Sequence, residues 1–583
     1  MTSDAAVFSV GEQTMTEQSK QELRELVQGG ETLTVEFKGD WSGNRQSPSN
    51  PGLSDKDLTE ALVALANTEG GYLLLGVEDD GTLTDVRPHH HDEKGLMAMV
   101  AHRTTPFLSV NAVLCELDGH SIMRVEVPKS RQLIATTEGV LLRRRLKADG
   151  KPEAVPFYPH EFLSRQSSFG DIDPSAIVFE EISYNQLDSL QRLRLRQMIV
   201  TYHGDATLKE LSDVELDLAL QLVVEKNGVL HPTMAGLLIL GTEKLLRQYL
   251  NTYEVAFQML EGTEVKRNIF YRKPLLETFE AVSKEFSTLI REEELEIGLF
   301  RVPVPNYDER AFREAFVNSL IHRDFNLLGT VLVQIDDHGL TISNPGSFID
   351  GVNIHNLLVV RPHSRNPLLA DIIKRIGLAE RTGRGIDRIY EGLLRYGRPA
   401  PDYSASDETS VSVFLNNAQA DLAFMRMHIT ASDKPMPLDS LIILSSLLHE
   451  KQLSITELQA EVQKGEKIVH SEVEELVELG LITPHGNGRG RTYMISAEMY
   501  AKAGNKAAFV RQAGFSKIQQ EQMILSFIDA HGSIKRSEVM ELCHLNGKQA
   551  TRCLSLLKEK GCIEQNGIKK TASYVRKKQK DMP

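Results

Sequence analysis

The chain has 583 residues, a formal net charge of −14 and four cysteines. This length predicts three to five domains rather than one core, and the acidic balance excludes a general polyanion binder. The sequence has no apolar run of roughly 18 residues and no secretory signal, which predicts a cytoplasmic protein with no membrane partner. It has no CxxC pair, which argues against a zinc site among its cysteines.

The N-terminal part is predicted to fold as an α+β domain over residues 13–168, after a flexible tail at 1–12. The alternating run ETLTVEFKGDW predicts a strand, SDKDLTEALVALANTEGG a capped helix ended by two glycines, and YLLLGVEDDG a buried strand. Further strands are expected at 108–116, 120–128 and 138–145, and a helix near 158–167.

Three segments of this domain resemble the Schlafen AlbA-like domain: VEFK at 35–38, ALANTEGG at 64–71 and LLGVEDDG at 74–81. The resemblance implies a nucleic-acid-binding module. Some eukaryotic Schlafens use a carboxylate trio here to cut RNA, and Glu31, Glu36 and Glu78 (or Asp79) stand at the matching positions. Such carboxylates could hold a divalent metal and activate water, or could simply cap and salt-bridge strand ends.

Two polar clusters in the same domain have competing interpretations. Arg143, Arg144, Arg145 and Lys147 form a basic run, either an edge that contacts nucleic acid or a solvated face. His89, His90 and His91 invite a metal site, but adjacent side chains are expected to diverge, so the sequence favours a polar loop.

Residues 169–300 are predicted to form a central α/β scaffold, with a surface that could serve a dimer. In the following region, 301–418, the stretch YDERAFREAFVNSLIHRD predicts a helix. Glu314, Asn318 and His322 are four residues apart and therefore share one face. The amide oxygen of Asn318 suits Mg²⁺, and the Glu314 carboxylate could polarise a water molecule, although such a pair on a helix is commonly just solvated.

Downstream motifs strengthen the first interpretation. A strand-like run ends in an Asn344-Pro345-Gly346 turn, and Gly383 and Gly385 precede an amphipathic helix, where backbone N–H groups can approach an anion. A last alternating strand, TSVSVFL, closes the unit.

This order resembles the GHKL superfamily of ATPases, and more narrowly the divergent branch found in bacterial Schlafen-type transcriptional regulators. Glu314 and Asn318 match the N box, the NPG turn matches the Asp-x-Gly box, and TGRG matches the second glycine box. The resemblance implies ATP and Mg²⁺ as cofactors, with Asn344 and Gly346 near the base. Asn344 replaces the usual Asp, so the affinity for the adenine amino group should drop.

The C-terminal region contains two similar units, 437–497 and 516–577, each with the pattern of a winged helix-turn-helix. The third helix of the first unit is acidic. The second unit has cations on its third helix and wing, which predicts contacts with double-stranded DNA. The residues expected to contact DNA are the cations Lys548, Arg552, Lys569, Lys570, Arg576 and Lys577, together with the neutral hydrogen-bond donor Gln549.

Three functions follow from these features. The first is a DNA-binding, nucleotide-responsive transcriptional regulator, expected as a homodimer. The second is an enzyme of a defence system, either an ATPase or a Schlafen-like nuclease with RNA as a substrate class. The third is a non-enzymatic assembly scaffold. A helicase label is rejected, because the chain has no G-x-x-x-x-G-K-[ST] phosphate loop.

Overall fold

A computed structural model gives the fold, which comprises two compact units, Met1–Arg165 and Gln166–Pro583. Each unit is mixed α+β. The structure describes residues 17–41, 53–147, 149–158, 161–297, 300–361, 363–380, 383–431, 435–450, 452–486, 490–496, 517–543, 547–566 and 573–577.

The first unit is built on a four-stranded sheet in the order β1-β2-β5-β4, in which β1 and β2 are parallel and the other pairs antiparallel. Its elements are α1 Glu17–Gly29, β1 Val35–Lys38, α2 Asp55–Ala66, β2 Gly71–Leu75, α3 Glu93–His102, β3 Thr104–Thr105, β4 Asn111–Leu117, β5 His120–Val127, β6 Ala135–Thr136, β7 Leu142–Leu146, β8 Pro152–Pro156 and α4 Glu161–Ser168, the last of which contains the boundary between the units.

Helix α2 forms as predicted. The Ser54 side chain accepts the Asp57 N–H at 3.1 Å, which caps the first turn. Leu62 and Leu65 are fully buried and pack with the β2 residues Leu73 and Leu75 in one apolar cluster. The apolar side of this helix therefore closes one face of the sheet.

The second unit begins with a helical region that leads into a five-stranded sheet. Its elements are α5 Ser189–Thr201, α6 Asp213–Ala219, β9 Val223–Lys226, β10 Val229–Pro232, α7 Met234–Leu240, α8 Glu243–Tyr249, β11 Val255–Glu261, β12 Glu264–Tyr271, α9 Leu275–Ser287, β13 Glu292–Ile297, β14 Phe300–Pro305, α10 Glu309–Ile321, β15 Val331–Ile335, β16 Gly339–Pro345, α11 Pro367–Arg375, α12 Gly385–Leu394, β17 Ser410–Asn416 and α13 Leu422–Ala431.

The sheet has the order β12-β11-β15-β16-β17, and β11 pairs in parallel with β15. The parallel pairing joins Val255 to Val331 and Met259 to Ile335. The sheet therefore crosses the boundary expected between residues 300 and 301. The central region is not a separate scaffold, since it supplies two strands of the sheet against which α10 packs.

The C-terminal region contains two small units of similar element order, each with a three-stranded antiparallel sheet. The first comprises α14 Leu438–Glu450, β18 Leu453–Ser454, α15 Ile455–Val462, α16 Glu466–Glu478, β19 Ile482–His485 and β20 Thr492–Ile495. The second comprises α17 Lys517–His531, β21 Ile534–Lys535, α18 Arg536–Leu542, α19 Gly547–Glu559, β22 Ile563–Asn566 and β23 Ser573–Arg576. The order agrees with the expected elements, and the winged helix-turn-helix assignment stays a prediction.

The two C-terminal units differ in how they are packed. The apolar residues of the first, such as Leu444 and Val469, belong to the same buried cluster as the five-stranded sheet. The second has its own core around Ile524 and Leu554. Within the described residues, no helix is both long and apolar enough to cross a membrane.

Candidate functional site

Helix α10 carries the predicted stripe, and its start is fixed by capping. The Asp308 carboxylate accepts the Ala311 N–H at 2.9 Å and also pairs with Arg395. On the apolar side of the helix, the Phe312 ring stacks on Phe286 with ring centroids 3.7 Å apart. These contacts lock the rotation of α10, so its polar stripe faces a cavity rather than solvent.

The cavity has a volume of about 430 Å³ and lies between α10, the edge of β16 and β17, and the start of α12. Five of the predicted cofactor and catalytic residues line it together with His322: Glu314, Asn318, Asn344, Gly383 and Gly385. The sequence separation between α10 and α12 is about 70 residues, so only the tertiary fold brings these residues to one place.

Gly385 sets the distance between α10 and the start of α12. A Cβ atom at this position would lie 3.0 Å from Glu314 Oε2 and 3.8 Å from Asn318 Nδ2. The absence of a side chain therefore lets the first turn of α12 approach the carboxylate and the amide directly. Gly383, with φ of +78°, makes the turn that leads into this helix, while Arg381 and Thr382 of the same motif lie outside the described residues.

The Glu314 carboxylate is only 2 % exposed, and burial raises its pKa. The guanidinium groups of Arg313 and Arg388 each come within 3.9 Å of Glu314 Oε1 and oppose this shift, while Glu380 reinforces it. A buried carboxylate with a raised pKa, next to a cavity, is suited to act as a general base.

His322 ends the polar stripe at the C-cap of α10. Burial, together with the charges of Arg365 and Lys374, lowers the pKa of His322 to about 4. The imidazole is therefore neutral near pH 7 and contributes a hydrogen-bonding group, not a charge, to the cavity wall.

Asn344 and Gly346 lie on either side of Pro345, the last residue of β16, and have different surroundings. Asn344 is buried, lines the cavity, and donates its Nδ2 hydrogen to the Pro345 carbonyl at 3.2 Å. Gly346 has φ of +105°, and a Cβ there would lie 2.9 Å from the Asp324 Cβ. Gly346 thus makes the turn possible and is not among the residues that line the cavity.

Sequence reasoning missed the basic side of the cavity. Arg361, His363 and Lys374 line it, as do the apolar residues Ile342 and Val413. The motif RPHSR, between the NPG turn and the second glycine motif, was the available signal. Its last arginine, Arg365, is buried instead, with Nη1 donating to Asp324 Oδ2 at 3.2 Å.

In the first unit, the predicted carboxylate trio is largely engaged by other groups. The two oxygens of Glu36 accept hydrogen bonds from Lys38 Nζ and Arg144 Nη1, and Glu31 Oε1 accepts the Phe37 N–H at 3.1 Å. Burial raises the pKa of Glu31. Within the described residues the trio does not converge as a metal-binding group. The arrangement fits the salt-bridged alternative better than a nuclease centre.

The expected basic edge of the first unit is also corrected. Arg144 is buried and, besides Glu36, donates to the Thr32 and Val35 carbonyls at 2.6 and 3.2 Å. Arg143 pairs with Glu161 at 2.6 Å and Arg145 with Glu153 at 2.8 Å. Three of the four cations therefore stabilise the fold, because carboxylates from other elements neutralise them.

The cations of the last C-terminal unit are only partly described. Arg552 on α19 and Lys577 after β23 are exposed. Arg576 forms a two-point pair with Asp529, at 2.8 and 3.1 Å, which raises the pKa of Arg576. Lys569 and Lys570, and the side chains of Lys548 and Gln549, lie outside the described residues.

Three family models match parts of the chain. The model "Schlafen, AlbA_2" matches residues 31–150, "Domain of unknown function (DUF8451)" matches 162–256, and "Putative ATP-dependent DNA helicase recG C-terminal" matches 329–415. The last match includes Asn344, Gly383 and Gly385 but begins after α10. The placement of Glu314 and Asn318 in the site therefore depends on the cavity geometry.

No curated protein matches the chain. Among solved structures, the DIP2311 protein from Corynebacterium diphtheriae is 19% identical, with 96% of this chain and 99% of that chain covered, at a TM-score of 0.47. The family matches show that the chain carries a Schlafen AlbA_2 domain and a divergent ATPase-like domain of the recG C-terminal type. Together, these two domains fit a DNA-binding or ATPase role.

Proposed function

We propose that this protein is a nucleotide-responsive DNA-binding regulator whose ATPase-like domain binds ATP with Mg²⁺ in the cavity beside α10. The single observation that carries the proposal is that Glu314, Asn318, Asn344 and the two glycines of the second glycine motif line one cavity, although they come from distant parts of the chain. The family match supports an ATPase-like domain, and the shared cavity lining supports this location for the nucleotide.

The residues fit a nucleotide in a defined orientation. The apolar wall that contains Ile342 and Val413 suits the base, and Asn344 offers an amide to its polar edge. The backbone at the start of α12, with Lys374 and Arg361 nearby, suits the phosphates. Asn318 would hold Mg²⁺, which when bound neutralises phosphate charge and orients the phosphate chain.

For hydrolysis, the chain's own contribution is Glu314. Its buried carboxylate can accept a proton from a water molecule in the cavity, and the raised pKa strengthens it as a base. The two arginines at 3.9 Å hold the carboxylate in position and limit its basicity.

Binding of Mg-ATP measured by calorimetry tests the site. Asn318→Ala should abolish Mg-dependent binding, whereas Asn268→Ala, an amide on β12 that is not part of the cavity lining, is the matched control. Glu314→Ala should retain binding and lose hydrolysis. Unchanged affinity in Asn318→Ala would refute the site assignment.

We infer that a change at the cavity is transmitted to the first C-terminal unit. The segment between β16 and α11 lines the cavity through residues such as Phe348 and Leu357. Gln463, at the C-cap of α15, accepts the Leu358 N–H at 3.0 Å and donates to the Ile354 carbonyl at 2.9 Å. Helix α12 also packs on α14. A change at the cavity would therefore reach the first C-terminal unit through two contacts.

This route predicts a specific variant. Gln463→Ala should leave the affinity for Mg-ATP unchanged and reduce the change that ATP causes in amide hydrogen exchange of the first C-terminal unit. Gln459→Ala, one turn earlier on α15, is the control. An equal ATP effect in both variants and in the wild type would contradict coupling through Gln463.

DNA binding is proposed for the second C-terminal unit, as a winged helix-turn-helix. Its helix α19 and the segment after β23 expose Arg552 and Lys577, whereas α16 of the first unit exposes Glu474, Glu475 and Glu478. Phosphate attracts the cations Arg552 and Lys577 and repels the three glutamates of α16. Removal of residues 516–583 should cost most of the affinity for duplex DNA in a gel-shift assay, and full retention of binding would refute the assignment.

We also propose a homodimer, because a two-fold protein can place paired DNA-binding units on two half-sites of a duplex. Light scattering coupled to gel filtration measures this directly. A monomer at all protein concentrations, with and without Mg-ATP, would contradict it.

A further inference from the structure

A second polar centre lies in the first unit, among residues that do not line the ATPase-like cavity. One potential ligating atom from each of Asp40, His89 and His90 lies within 4.8 Å of the other two. Within the described residues, these three are the group of His, Cys, Asp or Glu side chains whose potential ligating atoms all lie within 4.8 Å of one another. The sequence argument expected the adjacent imidazoles to diverge, but their ring centroids are 3.8 Å apart.

The local backbone explains why the two rings converge. His89 and His90 lie in a single 3-10 turn, Pro88–His90, whose tighter winding keeps consecutive side chains closer than an extended loop does. Asp40 follows β1 and accepts the Arg87 N–H at 2.7 Å, which ties the turn to the end of the strand. The three side chains are therefore placed by two connected elements of the fold.

The burial of these groups calls for a partner. Asp40 is fully buried and His90 is 5 % exposed, and they share a contact of 2.8 Å between Asp40 Oδ2 and His90 Nδ1. The other polar atoms of this pair, Asp40 Oδ1 and His90 Nε2, are buried and have no hydrogen-bond partner within the described residues. Unpaired polar atoms are costly in a protein interior, and a cation bound at Asp40 Oδ1 or at His90 Nε2 would satisfy that atom.

The charges around the centre are compatible with a cation. The Asp40 carboxylate brings a formal negative charge to the centre, and each of the two imidazoles brings ring nitrogens that can ligate a metal ion. His89 is exposed, which gives an ion a path to the centre.

We infer that Asp40, His89 and His90 form a site for a divalent transition-metal ion. Two imidazoles and one carboxylate suit Zn²⁺ and its first-row neighbours, whereas Mg²⁺ and Ca²⁺ prefer oxygen donors. Three protein ligands leave at least one position open for water or a ligand. The site is distinct from the Glu31, Glu36 and Glu78 trio, although the Glu78 carboxylate lies against Gly39, the residue before Asp40.

Calorimetry with ZnCl₂ on the tag-free full-length chain tests this inference, with the Co²⁺ absorption spectrum as a second readout of ligand type. The key variant is His89→Gln, because His89 is exposed and its loss should not unfold the domain. The control is His120→Gln, since His120 forms a comparable contact with Asp85, at 3.0 Å, without a second imidazole. Asp40→Asn, which keeps the side-chain shape, is the second test variant.

We expect one Zn²⁺ bound by the wild type, with affinity at least about tenfold weaker in His89→Gln, by analogy with losses of about 10–100-fold for changes around metal ligands. The Co²⁺ spectrum should change with it, and His120→Gln should bind as the wild type does. MgCl₂ should not compete. Equal Zn²⁺ affinity in wild type and His89→Gln, or no binding by the wild type at millimolar Zn²⁺, would overturn the site.

Discussion

Replacement of Gly392 by alanine should push helices α10 and α12 apart. A Cβ at position 392 would lie 2.7 Å from the Ala311 Cβ and 3.0 Å from Asp308 Oδ1. Carbon atoms prefer separations of about 3.5–4.0 Å, so the contact is too short by about 1 Å. Both positions are buried in the helix pair that forms one side of the cavity. The Ala311 Cβ cannot rotate away, and the Asp308 carboxylate is held by the Ala311 N–H and by Arg395.

The magnitude follows from two opposing contributions. Overpacking of a tight contact costs about 1–3 kcal/mol of unfolding free energy. Alanine in place of glycine within a helix returns about 1 kcal/mol. A double-mutant cycle with Ala311→Gly isolates the methyl–methyl clash, which exists only when both methyl groups are present, whereas the helix propensities and the 3.0 Å approach to Asp308 Oδ1 are the same with either residue at position 311. The coupling energy should therefore be about 1–3 kcal/mol.

Urea unfolding of wild type, Gly392→Ala, Ala311→Gly and the double variant measures this coupling. The values are taken from the transition of the unit that contains both helices, since a chain with two units need not unfold in one step. The affinity for Mg-ATP should fall in Gly392→Ala and recover in the double variant, because α12 starts beside Glu314. Additivity within about 0.5 kcal/mol, with unchanged affinity, would refute the described packing.

Other predictions concern the site, the DNA contacts and the fold. Burial raises the pKa of Glu314, so the ionised carboxylate destabilises the fold above that pKa. Glu314→Gln should therefore be more stable than wild type at pH 8, and the difference in stability should disappear as the pH falls toward 4. Thermal unfolding that gives the same difference at every pH would contradict this. Arg552→Ala should cost about 1–3 kcal/mol of DNA affinity with relaxed sequence preference, whereas Lys577→Ala should weaken all duplexes alike and reduce the salt slope by about 0.9; gel shifts at several salt concentrations distinguish them. Asp217→Asn, which removes the partner of a buried arginine, should destabilise by about 3–5 kcal/mol in urea, while the exposed pair of Asp213 should tolerate the same change.

The sequence by itself determined the local elements of the site. The cap at Asp308 and the spacing of Glu314 and Asn318 specify helix α10 and its polar face, since both depend on residues within a few turns. The NPG turn and the glycine motif likewise predict a turn and a helix start. A positive φ, as at Gly346 and Gly383, favours glycine for local steric reasons that do not depend on distant residues.

Only the tertiary structure decided which distant groups meet. In the sequence, Arg144 belongs to a basic run. The fold places it beside Glu36, which is 108 residues away in sequence, so Arg144 is buried and its charge is neutralised. The pairing of β11 with β15 moved the expected domain boundary, because strand partners are set by long-range hydrogen bonds and not by the composition between them. The approach of Asp40 to His89 and His90 is of the same kind: proximity across 50 residues is a property of how the elements pack, and local sequence pattern carries no record of it.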